Sequence, residues 1–144
     1  MRNKLFFFIF ALILMIFTTG CEQKVEYKFL QNIENIEKIE VVIFGESKSS
    51  LQPELTIKNE LSDESISEFL KDFSDLECYK YLTDPGRLSI GDTVLKISYS
   101  NGEYELINED AQGRFKNNKY IGIGKYYFDD KLFYELLSKY TNIK

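Results

Sequence analysis

The 144-residue chain contains no histidine and no tryptophan, and proline occurs only twice. Without histidine, every mechanism that needs an imidazole as base, proton shuttle or metal ligand is excluded. Scarce proline beside 44% hydrophobic residues rules out a disordered tail or a low-complexity linker, so the chain is expected to fold. Cysteine is confined to Cys21 and Cys78, with no cluster at zinc-binding spacing. There is no Gly-x-Ser-x-Gly elbow, no phosphate-cradling loop ending in Gly-Lys-Ser/Thr, and no internal repeat. The longest apolar run, Leu5–Phe17, covers 13 residues, whereas a helix crossing a bilayer needs about 20.

That run follows Met1-Arg2-Asn3-Lys4 and precedes Thr18-Thr19-Gly20-Cys21. A positive start, an apolar centre and a small-residue exit are the parts of a secretory signal. The Thr-Thr-Gly-Cys ending resembles the lipobox of bacterial lipoproteins. The resemblance implies cleavage before Cys21 and a diacylglycerol thioether on its sulfur. Residues 1–20 are then a signal peptide. Their removal takes away Arg2 and Lys4, leaving 16 basic residues against 23 acidic ones and a net charge of −7. An acidic domain gains nothing from counterion release on phosphates and is repelled by anionic head groups, so no nucleic-acid partner is expected. Attachment to the cell membrane, on its extracytoplasmic face, is expected through acyl chains on Cys21. Acylation of Cys21 leaves Cys78 without a partner in the chain, and no disulfide is expected.

Residues 21–35 read as the lipidated cysteine, a short tether and a helix over 27–35, because Phe29, Leu30, Ile33 and Ile36 fall at offsets 0, 1, 4 and 7. Residues 36–144 read as one domain. Ile36–Phe44 and Glu54–Lys58 are expected strands around a polar loop. Ser62-Asp63-Glu64 opens the clearest helix, with Ser62 placed to cap it and Ile66, Phe69, Leu70, Phe73 and Leu76 forming one stripe. Cys78–Leu82 reads as a strand and Thr83–Arg87 as a loop. Alternation in Thr93–Tyr99 and again after Asn101-Gly102 predicts a hairpin with a type I′ turn at Asn-Gly. A polar segment, 108–119, is followed by a strand over Tyr120–Phe128 and a last helix opened by Asp129-Asp130. The fold class expected is α+β: an antiparallel sheet of about five or six strands with two amphipathic helices on one face.

Candidate chemistry is sparse. The carboxylate pairs Asp63/Glu64 and Asp129/Asp130 sit at helix starts, where capping and the helix dipole account for them. Asn108-x-Asp110-x-Gln112-Gly113 resembles the first half of a calcium loop, but its twelfth position is Lys119 instead of glutamate, so a plain solvated loop is preferred and no cofactor or metal is expected. Cys78 reads as a small buried hydrophobe, there being no histidine to activate it. Gly122 and Gly124 share a strand face and suggest close packing or a bend. All ten tyrosines lie beyond residue 20. Tyr79, Tyr81, Tyr99, Tyr104 and Tyr120 are candidate binding residues on an uncovered sheet face.

In organisation the whole chain resembles the small lipoproteins of unknown function common in Gram-positive bacteria. The expected function is a membrane-anchored, non-enzymatic binding or accessory domain for a protein or envelope component. Alternatives are an immunity or inhibitor lipoprotein against a secreted toxin or lysin, and a small enzyme working through carboxylates or Cys78.

Overall fold

A computed structural model describes residues 24–49, 52–81 and 86–141. The described chain is α+β, with two helices and two antiparallel sheets of six and three strands. The strands are β1 (Lys24–Val25), β2 (Ile36–Ser49), β3 (Gln52–Glu60), β4 (Cys78–Lys80), β5 (Thr93–Tyr99), β6 (Glu103–Ile107), β7 (Gln112–Lys116), β8 (Lys119–Ile123) and β9 (Tyr126–Phe128). The helices are α1 (Asp63–Asp75) and α2 (Asp130–Tyr140). The large sheet runs β3-β2-β5-β6-β7-β8 and the small one β1-β4-β9. The nine strands exceed the five or six expected, and the extra ones lie where the sequence is polar or interrupted.

Register sorts the large sheet into two faces. Ile39 pairs with Ile97, Ile97 with Glu105 and Glu105 with Arg114, so these four side chains form one row across the sheet. On that face Ile39, Val41, Leu95, Ile97 and Ile107 join one buried cluster with Phe69, Leu70 and Phe73 of α1 and Phe133, Leu136 and Leu137 of α2. The other face carries a smaller cluster of Val42, Val94, Tyr104, Leu106 and Phe115, with Phe44, Leu55 and Leu88 packed against it. Its polar end holds Glu40, which lies beside Lys96 at 2.8 Å and Lys38 at 3.0 Å. Burial pushes the Glu40 carboxyl up, yet the hydrogen bonds from the two ammonium groups outweigh it and hold the carboxyl below 4.5.

Several expectations are corrected. Residues 27–35 are not a helix: the chain is irregular there, with a bend at Leu30 and Gln31 and a 3-10 turn over Ile33–Asn35. Nor is this segment a free tether. Lys24 and Val25 pair with Tyr79 and Cys78, and Tyr27 is buried. The polar loop after Phe44 shrinks, because β2 continues to Ser49 and β3 begins at Gln52. The 108–119 segment, expected as a solvated loop, contains β7. Asn108 Oδ1 accepts from the backbone N–H groups of Asp110 and Ala111.

The expected strand over 120–128 is two strands in different sheets, separated at Gly124-Lys125. A Cβ on Gly124 would lie 2.5 Å from Gln112 Oε1, so only glycine lets the chain cross there. Gln112 then links the sheets: Tyr126 N–H donates to its Oε1 at 2.8 Å, and its Nε2 donates to Tyr126 O. Gly122, by contrast, faces open space.

The turns also change places. At Asn101-Gly102 the Gly102 N–H donates to Tyr99 O and only Gly102 has positive φ. That is a type I turn closed by a left-handed glycine. The two-residue turn with positive φ at both centres, the I′ requirement, is Asn117-Asn118 between β7 and β8. Asparagine tolerates that region better than other residues with a Cβ.

The helix caps differ from one another. Asp129 accepts from Leu132 N–H at 3.0 Å and caps α2. Ser62 makes no cap hydrogen bond to α1, contrary to expectation, and its hydroxyl pairs with that of Ser65. Asp129→Ala is therefore expected to destabilise by about 1 kcal/mol, and Ser62→Ala by clearly less. Urea denaturation of the two variants side by side checks this, and equal losses would contradict it.

Candidate functional site

The five tyrosines singled out in the sequence do not share one face. Tyr99 and Tyr104 lie on adjacent strands at positions of opposite parity, so they point to opposite sides of the large sheet. Tyr99 is fully buried, and the Glu105 carboxylate accepts from its hydroxyl. Tyr79 and Tyr81 belong to the small-sheet region, where both rings lean on Tyr127, with centroids 5.3 and 4.6 Å away. Tyr104 and Tyr120 do come together. Phe115 lies between them, stacked on Tyr104 at 4.8 Å and meeting Tyr120 edge-on at 5.7 Å.

Phe115 and Tyr120 line a cavity of about 660 Å³, within the range of small-molecule binding pockets. Phe44, Leu88, Phe115, Tyr120 and Ile123 supply its apolar wall, and Arg87, Gln112 and Gly113 complete it. Each position has a structural cause. Phe44 lies in β2 just past its pairing with β5, and Gly91 N–H donates to its carbonyl, which holds the 86–92 loop beside it. Gly113 leaves room for the Phe115 ring, since a Cβ there would stand 3.0 Å from Phe115 Cε2. Between Arg114 and Phe115 the register slips by one residue. Tyr120 is therefore opposite Phe115 and Ile123 opposite Gly113, and both line the cavity. Gln112 is occupied with Tyr126, so the polar groups left for a guest are the Arg87 guanidinium and the Tyr120 hydroxyl.

A second polar constellation was missed in the sequence. Glu105 is fully buried and accepts hydrogen bonds from Tyr27 Oη at 2.7 Å, from Tyr99 Oη and from Leu30 N–H at 3.2 Å. Burial raises its carboxyl above 4.5, opposed by these hydrogen bonds and by the charge of Arg114. Arg114 in turn donates to Lys28 O at 3.1 Å, and Gln31 donates to Glu103 at 2.5 Å. These bonds fasten residues 27–31 to β6 and β7. A signal was present in the sequence: Glu105 alternates in phase with Ile107, whose inward face it shares.

No family model, no curated protein and no solved structure matches this chain.

The remaining candidates resolve as follows. Cys78 is buried and its thiol is pushed up to about 12 by desolvation, so it is not a thiolate near neutral pH. Cys21 lies outside the described residues. Among the described residues, no three His, Cys, Asp or Glu side chains are grouped to hold a metal, and no helix is long and apolar enough to cross a membrane. Among the described residues, the cavity lining contains neither a carboxylate nor a thiol.

Proposed function

We propose that the chain is a lipid-anchored, non-enzymatic binding domain held at the extracytoplasmic face of a bacterial membrane by acyl chains on Cys21. The positive start, the apolar run and the Thr-Thr-Gly-Cys exit support the anchor. The observation that carries the binding role is the cavity beside β7 and β8, whose wall is mostly aromatic and aliphatic with the Arg87 guanidinium and the Tyr120 hydroxyl in it. Both helices cover the opposite face of the large sheet in this reading, which leaves the cavity face for a partner. In this reading Lys24, already paired with Tyr79, follows the acylated Cys21 by three residues, which supports a partner at the membrane surface.

A photoreactive phenylalanine analogue in place of Tyr120, in the acylated protein within native membranes, is expected to give a discrete crosslinked adduct. The same analogue in place of the exposed Glu135 on α2 is expected to give none. No adduct from position 120, or the same adducts from both positions, would contradict the assignment.

A further inference from the structure

We infer that the β8 edge and the cavity beside it receive an extended polypeptide segment, which adds a strand to the sheet, seats one large apolar side chain in the cavity and carries acidic residues on its flanks. This rests on the binding-domain reading and names the class of its partner.

Three observations lead there. First, β8 ends the large sheet: β7 lies on one side and, among the described residues, no strand lies on the other. An edge strand offers a row of backbone N–H and C=O groups to another chain. β8 is short and carries Lys119, as natural edges often do, yet it exposes Tyr120, Ile121 and Ile123 at 55, 49 and 37%. Gly122 between them has nothing within 4 Å of where a Cβ would stand, so backbone can approach closely.

Second, the cavity abuts this edge, because Tyr120 and Ile123 line it. A strand added beside β8 would lie about 4.8 Å away, with alternate side chains directed to the cavity face. Backbone pairing then supplies affinity, and the pocket supplies selectivity for one large side chain.

Third, charge is segregated. From Ala111 to Phe128 the chain carries Arg114, Lys116, Lys119 and Lys125 and no acidic residue, although its net charge is −5. Lys116 is paired with Glu103 at 3.0 Å. Lys119, Lys125 and Arg87 form no ion pair among the described residues. Arg87 lines the cavity, while Lys119 and Lys125 stand at the two ends of β8, Lys119 on the sheet face turned away from Tyr120. Positive charge along this edge is complementary to acidic residues flanking the apolar side chain of an added strand. It also disfavours a second copy of this chain, since antiparallel pairing of two β8 strands about Gly122 sets Lys119 of one copy against Lys125 of the other.

The test is selection from a displayed library of random dodecapeptides on the full acylated protein in detergent. Expected binders carry a central aromatic or large aliphatic residue flanked by Asp or Glu. Their binding is expected to slow amide exchange within residues 119–123, and to weaken about tenfold in the Lys119→Glu/Lys125→Glu variant, two exposed charges whose reversal leaves the fold and its circular dichroism intact. Binders that leave exchange at 119–123 unchanged would overturn the inference, as would concentration-dependent dimerisation through β8. Failure of every peptide, with an apolar fluorescent sulfonate still entering the cavity, would overturn the peptide partner and spare the binding-domain reading. Failure of peptides, sulfonate and the position-120 crosslink together would remove both.

Discussion

Glu105→Ala is expected to lower the stability of the folded domain by about 4 kcal/mol. The substitution strands three donors at once, the hydroxyls of Tyr27 and Tyr99 and the N–H of Leu30, and leaves a cavity between β6 and the 27–31 segment. Glu105→Gln keeps an acceptor for Tyr99 and Leu30 and offers a donor to Tyr27, so its loss is expected near 1 kcal/mol. The two variants also separate by pH. Because burial raises the Glu105 carboxyl above 4.5, the folded state favours its neutral form. Its contribution is fully present below 4.5 and is lost as pH rises through the folded value. Glutamine does not titrate, so the advantage of wild type over Glu105→Gln is expected to shrink as pH rises from 4.5. Glu40, Glu77, Glu103 and Asp72, all held low by their partners, titrate alike in both proteins and cancel. Urea midpoints across pH 4.5 to 8 check this, and an advantage that widens with pH would contradict it.

Phe73→Ala is expected to be comparably damaging, at about 4 kcal/mol. Phe73 is fully buried in α1, and its ring centroid lies 5.4 Å from Tyr27, 5.6 Å from Phe29, 5.9 Å from Phe69 and 5.4 Å from Phe128. It thus joins the helix to the N-terminal segment and to β9. Removing it releases Tyr27, which Glu105→Ala also releases, so the double variant is expected to lose less than the two single losses added. Denaturation of the three variants against wild type checks both statements. A loss below about 1 kcal/mol for Phe73→Ala would contradict the packing described.

What the sequence revealed follows from where the information sits. The stripe Ile66, Phe69, Leu70, Phe73, Leu76 and the alternation through Val94–Tyr99 are local signals, set by one face of one element meeting the core, and both elements form where expected. β7 carries almost no such signal. Gln112 is taken up with Tyr126, Gly113 makes room for a ring, and Arg114 sits opposite Glu105, so Phe115 alone reads as apolar strand. Residues 27–35 show helical spacing, yet their conformation is fixed by partners 72 to 78 residues away, Glu103 and Glu105. The division of Tyr79, Tyr81, Tyr99, Tyr104 and Tyr120 among three places likewise depends on sheet membership and parity, and only the pairing of strands sets these. The cavity combines Phe44, Leu88, Phe115 and Ile123 from separate stretches, and a bulge aims its last two walls.

The anchored binding domain stands on Cys21 most directly, and intact-mass spectrometry of the protein purified from its native membranes tests it, with Cys21→Ala beside it. The expected results are the mass of residues 21–144 plus a diacylglycerol thioether, and release of the variant from the lipidated membrane fraction. An uncleaved or unacylated chain, or a variant retained in membranes as firmly as wild type, would contradict it.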